Sequence, residues 1–305
     1  MSTASDDDRA SNAELLQSLV ADQTARLRAH DDGVRSGHPG SVHQLRIVAR
    51  RLRSTVTTFG EVVVGPDPAV LRQELRWLGG SLGQARDAQV LRGHLLTMLW
   101  TEPPELVLGP VAERIDRDLE AARRAGLDHA HQALASQRYA DLIDALHSLA
   151  TVPTLTHQAE SRARDGLPSL LQRDLRHLRR AVRAAARTET RAERDRALHQ
   201  VRKKAKRLRY AAESAAPLLG TRAKQLARSS KAVQDVLGEH QDAVVAQSWL
   251  REYAVRAAVK GENSFTYGRL HALEQERADR AEQRFVALWG TKRSKKVRRR
   301  VREMS

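Results

Sequence analysis

Two stretches of the chain, VHQLRIVARRLR at 42–53 and LHQVRKKAKRLR at 198–209, align without gaps and are identical at seven of twelve positions. A second pair, LGQARDAQV at 82–90 and LGEHQDAVV at 237–245, follows at nearly the same distance in each case. Two blocks that recur in the same order indicate an internal repeat, in which each copy is one structural unit. The sequence therefore predicts a duplicated fold.

The composition favours helix in both copies and in the chain between them. Ala, Leu, Arg and Glu are abundant, aromatic residues make up 4%, and β-branched residues are few. Three helix starts are signalled by capping-box spacing or by a proline at the first helical position: Ser41 with Gln44, Thr190 with Glu193, and Asp67 before Pro68. Gly- and Pro-containing breaks, such as those at 217–220 and Gly261, separate about ten helices. We expect an all-α fold.

The repeat is expected to form two four-helix bundles related by a pseudo-two-fold axis, which would give the two basic stretches comparable environments. The predicted domain covers residues 1–290, with one half at about 11–150 and the other at about 155–290. Beyond it, TKRSKKVRRRVR at 291–302 holds eight basic residues in twelve and no acid. Self-repulsion among like charges predicts that residues 291–305 form a disordered basic tail.

The charge balance points to an anionic partner. Lys and Arg total 53 against 37 Asp and Glu, and the resulting net charge of +16 attracts anions broadly. The chain has no cysteine, which excludes disulfides, thiol nucleophiles and thiolate-bound zinc. The first residues are acidic and no segment approaches about 18 consecutive apolar residues, so we expect a cytoplasmic protein without a membrane partner.

Placed on a helix, each basic stretch presents two stripes. The first stripe is apolar and should face the core: Val42, Leu45, Ala49, Leu52 and Val56 in one copy, and Leu198, Val201, Ala205, Leu208 and Ala212 in the other. The second stripe is basic and lies beside the core boundary: His43, Arg46, Arg50 and Arg53 in one copy, and His199, Arg202, Lys206 and Arg209 in the other, with Lys203 alongside. The same geometry is therefore predicted twice.

The basic stripes have an ordinary interpretation, a solvated helix face, and a functional one, an anion-binding surface. Exposed helix faces usually mix charge signs, yet no acid occurs from 42 to 53 or from 196 to 209. Like charges at helical spacing repel, and an anionic ligand would offset that cost. Because Arg offers planar forked donors for phosphate oxygens and Lys adds point charges, the pattern favours a regularly spaced phosphate polyanion.

Four further residues have two interpretations each. His43 and His199 are either partly buried residues near a helix start or donors to a phosphate, in which case binding raises their pKa. A metal site is disfavoured, because no second histidine follows either one at ligand spacing. Asp87 and Asp242 follow a Leu-Gly pair and are either first-turn carboxylates that favour the helix dipole or supports that orient a stripe cation.

The paired His-x-x-Arg-x-x-x-basic-basic-Leu-Arg stretches and the two Leu-Gly-x-x-x-Asp blocks resemble the CHAD domain, the conserved histidine α-helical domain, over roughly residues 11–290. The resemblance implies two four-helix bundles whose basic residues line a groove that binds inorganic polyphosphate, and association with polyphosphate granules. The family's basic signature falls on His43, Arg46, Arg50, Arg51 and Arg53, and on His199, Arg202, Lys206, Arg207 and Arg209. Ile47 and Val48 depart from the family pattern, so the first half is expected to bind more weakly.

The rival functions are nucleic-acid binding and enzymatic turnover of polyphosphate. Single-strand binders stack bases on aromatic side chains, and the basic stripes carry no aromatic residue except Tyr210, just past the second. The C-terminal tail remains a candidate for nonspecific nucleic-acid contact. An enzyme needs a phosphate-binding glycine loop, a carboxylate pair for magnesium or an activated nucleophile, and none of these patterns is present. We therefore expect a binding protein with no catalytic residue, metal or cofactor.

Overall fold

A computed structural model describes residues 11–36, 38, 40–160, 163–291, 295 and 299 of the chain. These residues form nine α-helices: α1 (Asn12–Arg35), α2 (Ser41–Thr58), α3 (Pro68–Ser81), α4 (Gly83–Thr101), α5 (Val111–Leu134), α6 (Gln137–Thr151), α7 (Ala163–Ala185), α8 (Arg191–Val259) and α9 (Phe265–Gly290). Two short strands, β1 (Val63–Gly65) and β2 (Thr154–Leu155), pair antiparallel. The predicted all-α class is confirmed. Among the helices described, none is long and apolar enough to cross a membrane.

All three predicted helix starts are confirmed, two of them with the predicted cap. At the start of α8, the Thr190 side chain accepts from the backbone N–H of Glu193, and the Glu193 carboxylate accepts from the backbone N–H of Thr190. At the start of α3, the Asp67 side chain accepts from the backbone N–H of Ala69, and Pro68 is the first helical residue. These caps satisfy backbone donors that the first turn of a helix leaves unpaired.

The predicted capping box at Ser41 is wrong. Gly40, with φ of 85°, precedes α2 and no side chain caps the helix. Ser41 is instead buried where α2 approaches α1, and a Cβ at Gly33 of α1 would lie 2.4 Å from the Ser41 Oγ. Its hydroxyl is therefore packed between two helices, a tertiary contact that the local spacing of Ser41 and Gln44 does not reveal.

The longest helix, α8, bends where the sequence predicts a break. Pro217 lies inside it and lacks a backbone donor, and Gly220 has non-helical dihedral angles with φ of 58° and ψ of −136°. Glycine adopts a positive φ at little cost because it has no Cβ. The bend divides α8 into a first arm, which carries the second basic stretch, and a second arm, which carries the second Leu-Gly-x-x-x-Asp block.

The two predicted apolar stripes are buried, except for the partly buried Val42, and they fix the orientation of the basic ones. The central residues of each stripe are fully buried: Leu45, Ala49 and Leu52 in α2, and Val201, Ala205 and Leu208 in α8. Burial of each large aliphatic side chain contributes about 1.5–3 kcal/mol. The stripes share one core with residues of α1, α3, α6 and α7, and α2 contacts α8 directly. The two basic stripes are therefore held on neighbouring helices that the core anchors.

A second, smaller core joins α4 and α5 to the second arm of α8 and to α9. The α4–α5 contact depends on a glycine, since a Cβ at Gly126 of α5 would lie 2.4 Å from the backbone nitrogen of Ala85 in α4. This close approach fixes the start of α4, where the first Leu-Gly-x-x-x-Asp block lies.

Three sequence predictions remain predictions. The internal duplication and the boundaries of its two halves are not tested by the helix bounds or the cores. The basic tail at 291–305 falls outside the described residues, except for Thr291, Lys295 and Arg299.

Candidate functional site

A cleft of about 680 Å³ opens between α2, α3 and the first arm of α8. Nine Arg and Lys residues line it: Arg50, Arg53, Arg72, Arg76, Arg202, Lys203, Lys204, Lys206 and Arg207. The rest of the lining is formed by Ser54, Thr57, His199, Gln200 and Tyr210, and no carboxylate of the described residues belongs to it. The cleft therefore offers an anion many hydrogen-bond donors and a concentrated positive charge.

Seven of the eleven predicted binding residues line this cleft: Arg50, Arg53, His199, Arg202, Lys203, Lys206 and Arg207. The other four lie outside the lining and are partly buried: His43, Arg46 and Arg51 on α2, and Arg209 on α8. The structure thus brings the second half of the first basic stripe and the first three residues of the other together across one cleft.

Three predicted cations are paired with carboxylates outside the basic stretches: Arg46 Nη1 with Asp87 Oδ1 at 2.7 Å, Arg207 Nε with Asp174 Oδ1 at 2.9 Å, and Arg209 Nε with Glu213 Oε1 at 2.7 Å. Asp174, on α7, is itself buried. A charge-assisted pair of this kind fixes the guanidinium and neutralises part of its charge. These three arginines are consequently less available to a ligand than their position in the sequence predicts.

The cations at the centre of the cleft lack such partners. The Nε atoms of Arg50 and Arg202 are buried and have no hydrogen-bond acceptor among the described residues. Burial, followed by repulsion from Arg50 and Arg202, lowers the pKa of Lys206 from 10.5 to about 7. Burial is also the main cause that lowers the pKa of Arg50 and of Arg53. The cleft therefore concentrates positive charge in a partly desolvated setting, and a bound anion would stabilise it.

The two signature histidines are not equivalent. His199 lines the cleft, and its buried Nδ1 has no hydrogen-bond partner within the described part of the chain, whereas His43 lies outside the lining. Burial is the main cause that lowers the pKa of each, and nearby arginines add to the effect. Both imidazoles are consequently neutral at pH 7 until an anion approaches. The described residues contain no group of three or more His, Asp or Glu side chains that could hold a metal ion.

Sequence reasoning missed three cations of the cleft. Arg72 and Arg76 come from α3, which belongs to neither basic stretch, and Lys204 lies one residue beyond the predicted stripe on α8. The signal for the α3 pair is their spacing of four residues, which puts both side chains on one helix face. That signal is weak in the sequence, because Glu74 stands between them and makes the helix look like an ordinary exposed one.

The two aspartates of the Leu-Gly-x-x-x-Asp blocks do not share one structural role. Asp87 follows the first turn of α4 and pairs with Arg46, as the alternative interpretation of a supporting carboxylate predicts. Asp242 lies within the second arm of α8, far from either end of that helix, so the first-turn interpretation is wrong for this residue. Desolvation raises the pKa of Asp242, and attraction to Arg202 is the largest effect that opposes this rise.

The family model described as the CHAD domain matches residues 18–251, a segment that contains both basic stretches, both Leu-Gly-x-x-x-Asp blocks and the whole lining of the cleft. The chain belongs to the CHAD domain family. This CHAD protein is similar in fold to PptA from Streptomyces chartreusis, with a TM-score of 0.76, 23% identity, and coverage of 92% of this chain and 100% of that one. It is also similar to the CHAD domain from the plant Ricinus communis, with a TM-score of 0.70, 26% identity, and coverage of 93% and 94%.

Among curated sequences, the CHAD protein is similar to the uncharacterized proteins MT2285 and Rv2226 from two strains of Mycobacterium tuberculosis. Each is 36% identical to it over 278 residues. The match covers 90% of this chain and 52% of each relative, so the chain spans about half the length of the curated relatives it matches.

Proposed function

We propose that this CHAD protein binds inorganic polyphosphate in the cleft between α2, α3 and α8, and performs no chemistry on it. One observation carries the proposal: nine Arg and Lys residues line a single cleft, and no carboxylate of the described chain accompanies them there. Membership of the CHAD family supports the same ligand, since the family resemblance implies polyphosphate binding. In the cell, we expect this binding to place the protein at polyphosphate granules.

The arrangement of the cations suits a linear polyanion. Each of the three helices contributes cations three or four residues apart: Arg50 and Arg53 on α2, Arg72 and Arg76 on α3, and Arg202 and Lys206 on α8. Residues at this spacing are neighbours on one face, with Cβ atoms about 5–6 Å apart. Repeated cations on three sides can contact successive phosphates of one chain. A compact anion has too few oxygens to contact them all.

The remaining lining residues favour a ligand without bases and without chemistry. Tyr210, the aromatic residue of the lining, is 9% exposed, so its ring offers little surface on which a nucleobase could stack. The other lining residues are hydroxyls, an amide and a neutral histidine, which can donate hydrogen bonds to phosphate oxygens. Since no carboxylate lines the described cleft, a carboxylate ligand for magnesium would have to come from elsewhere.

Equilibrium binding of purified protein to long polyphosphate tests the proposal. Lys203→Glu and Arg53→Glu place a negative charge on opposite walls of the cleft, and we expect each to weaken binding at least tenfold. Arg251→Glu is the matched control, because Arg251 is also an exposed cation on α8 but lies outside the cleft lining. Equal weakening by Lys203→Glu and Arg251→Glu would show that net charge, and not the cleft, governs binding.

Three further measurements separate polyphosphate binding from its rivals. Competition of labelled polyphosphate with single-stranded DNA or RNA of equal charge should leave polyphosphate bound, and displacement by nucleic acid at equal concentration would contradict the ligand assignment. Incubation with polyphosphate and magnesium should release no phosphate. A fluorescent fusion imaged in the native cell should coat polyphosphate granules, and a nucleoid pattern would favour nucleic acid.

A further inference from the structure

Helix α7 carries a dense run of arginines that belongs to neither basic stretch. From 166 to 188 the chain contains one acid, Asp174, and six arginines: Arg173, Arg176, Arg179, Arg180, Arg183 and Arg187. The apolar residues Leu171, Leu175 and Leu178 are buried, so the opposite face of α7 points to solvent. Like charges at helical spacing repel, and α7 itself holds no exposed acid in this range to offset the repulsion.

Four of these arginines form one exposed surface. Arg176, Arg180 and Arg183 follow each other at spacings of four and three residues and cover about 10 Å of helix, and Arg187 lies in the turn after α7. None of the four pairs with a carboxylate within the part of the chain that the structure describes. On other helices, exposed cations are paired one turn away: Arg26 with Asp22, Lys231 with Asp235, and Arg256 with Glu252. The four arginines, which we name the α7 arginine face, therefore remain free to bind an anion.

Contacts between α7 and α8 connect this face to the cleft. Arg207, which lines the cleft, donates from Nε to the Asp174 carboxylate at 3.0 Å. Because Asp174 is buried and paired, it is shielded from a ligand on the surface. His177 lies one turn further along α7, and burial is the main cause that lowers its pKa, while attraction to Asp174 opposes the effect and repulsion from Lys204, Arg207 and Arg180 adds to it. The cations of the cleft and of the α7 arginine face therefore meet around His177.

We infer that the α7 arginine face is a second binding surface for polyphosphate, which receives the part of a long chain that leaves the cleft beside Lys204 and Arg207. The inference rests on the proposed function, because the cleft holds the chain that α7 then contacts. An unbranched polyanion without bases suits this surface, since no aromatic residue on which a base could stack occurs from 166 to 188.

The two surfaces should differ in the length of chain that they need. A short chain of ~8 phosphates, the number expected to occupy the cleft, should leave the α7 arginine face empty, whereas a long chain should contact both surfaces. Each arginine of the face that neutralises a phosphate should make the salt dependence of long-chain binding steeper, by about 0.7 in the logarithmic slope. Removal of arginines from α7 should therefore affect long chains selectively.

A double variant with a charge-matched control tests this selectivity. Arg180→Gln with Arg183→Gln removes two charges from α7, and glutamine keeps a high helix propensity. Arg251→Gln with Lys260→Gln removes two charges from exposed positions near the C-terminal end of α8, outside the cleft lining. The dissociation constants for short and long polyphosphate would be measured for both variants, with circular dichroism to verify the fold.

We expect the α7 variant to weaken long-chain binding about threefold to tenfold and short-chain binding less than about twofold, because each exposed charge pair contributes modestly. The salt slope for the long chain should become less negative by about 1.4. The control should leave both affinities nearly unchanged, since charges beyond the Debye length of about 8 Å are screened at physiological ionic strength.

Chemical modification of arginine locates the contact in the wild-type protein. Phenylglyoxal should modify Arg176 and Arg183 in the free protein, because both are exposed, and mass spectrometry identifies the modified positions. Long polyphosphate should protect both arginines and short polyphosphate should not, whereas Arg251 should react in every case. Equal reactivity of Arg176 and Arg183 with and without long polyphosphate would contradict the inference.

Failure of the inference and failure of the proposed function give different results. Absence of binding to both chains would refute the proposed function and the second surface together. If the wild type binds, equal weakening of long-chain binding by the α7 variant and the control would show that net charge is responsible. Equal weakening of short- and long-chain binding would place α7 in the primary site, and loss of single-stranded DNA binding alone would assign the face to nucleic acid. Each of these three results would overturn the inference and keep the proposed function.

Discussion

The lowered pKa of Lys206 predicts that polyphosphate binding is coupled to the uptake of a proton. Its ammonium group lies in the cleft among arginines, and burial followed by repulsion from Arg50 lowers its pKa from 10.5 to about 7. A bound polyphosphate would place negative charge beside it and restore the pKa toward its ordinary value. The protein should therefore take up a proton at Lys206 when it binds polyphosphate above neutral pH.

The magnitude follows from the two pKa values. With a pKa of about 7, Lys206 is about one-tenth protonated at pH 8, so binding should take up about 0.9 proton, against about 0.1 at pH 6. Between about pH 7.5 and 9.5 the dissociation constant should rise roughly tenfold per pH unit, because each binding event must then supply that proton. Affinity should level off below about pH 6.5, where Lys206 is charged in both states.

The lowered pKa of Lys206 also determines how the stability of the ligand-free protein changes with pH. Between pH 7 and 10.5 the unfolded chain binds more protons at Lys206 than the folded protein does. The free energy of unfolding should therefore rise with pH across this window, which is opposite to the trend in affinity.

Isothermal titration calorimetry measures the proton uptake. At pH 8, titration in Tris and in HEPES gives apparent enthalpies that differ by the number of protons taken up multiplied by the difference in buffer ionisation enthalpy. Long polyphosphate chains keep the titration of terminal phosphates small. At this pH His43 and His199, whose pKa values are lowered in the free protein, take up a proton only if binding raises those pKa values to about 8.

Two variants isolate the lysine. Lys206→Met should bind more weakly and take up almost no proton at pH 8. Lys203→Met is the matched control, because Lys203 lines the same cleft but is exposed, so binding should weaken while proton uptake persists. Proton uptake near zero in the wild type, or equal uptake in the wild type and Lys206→Met, would refute the reasoning.

Three other predictions concern salt, packing and the tail. The logarithm of affinity should fall with the logarithm of salt concentration with a slope of roughly −4 to −6, since about −0.7 is expected per neutralised phosphate and ~6 to 8 phosphates fit the engagement; a slope near zero would exclude this mode. In urea denaturation, Gly126→Ala should lower the free energy of unfolding by about 1–3 kcal/mol because its Cβ would lie 2.4 Å from the Ala85 nitrogen, whereas Gly93→Ala, with open space around it, should not. Truncation after Gly290 should preserve affinity for short polyphosphate and reduce it for long chains; complete loss for short chains would place residues 291–305 in the primary site.

The parts of the fold that depend on local periodicity could be predicted from the sequence. The spacing of Leu45, Ala49 and Leu52 indicates a buried helix face because a helix repeats every 3.6 residues, and the structure buries all three. The bend in α8 was predictable for a similar reason, since Pro217 and Gly220 act on the backbone directly. The seven predicted residues in the cleft lining follow from the same helical geometry.

The parts that depend on contacts between distant helices could not be predicted. Ser41 has the spacing of a cap, but packing against Gly33 of α1 takes its hydroxyl away from the helix end. Asp242 follows a Leu-Gly pair that looks like a helix start, yet the glycine is compatible with the middle of α8 and lies beside Arg202. In both cases a residue typical of a helix end is used for a tertiary contact.

The pairing of cations with carboxylates is the feature that the local sequence predicts least well. We predicted unpaired cations from stretches of sequence that contain no acid. Arg207 lies in such a stretch, yet it pairs with Asp174 of α7, 33 residues away in sequence. Conversely, α3 contains Glu74, and this carboxylate binds Arg138 of α6 at 2.5 and 3.0 Å.

Glu74 is engaged by Arg138, which also stacks 4.3 Å over the ring of Trp77. It stands two residues from both Arg72 and Arg76, so it faces away from them on α3. Neither of these two arginines has a carboxylate partner among the residues that the structure describes, and both line the cleft. What makes a cation available to polyphosphate is therefore the helix face and the tertiary contacts of the nearest acids, and not their absence from the same helix. Arg138→Ala should consequently leave polyphosphate binding nearly unchanged, because a released Glu74 stays on the face of α3 opposite Arg72 and Arg76. Weaker binding by Arg138→Ala that the added Glu74→Gln change restores would contradict this assignment of faces, whereas weaker binding that it does not restore would show that Arg138 acts through packing against Trp77.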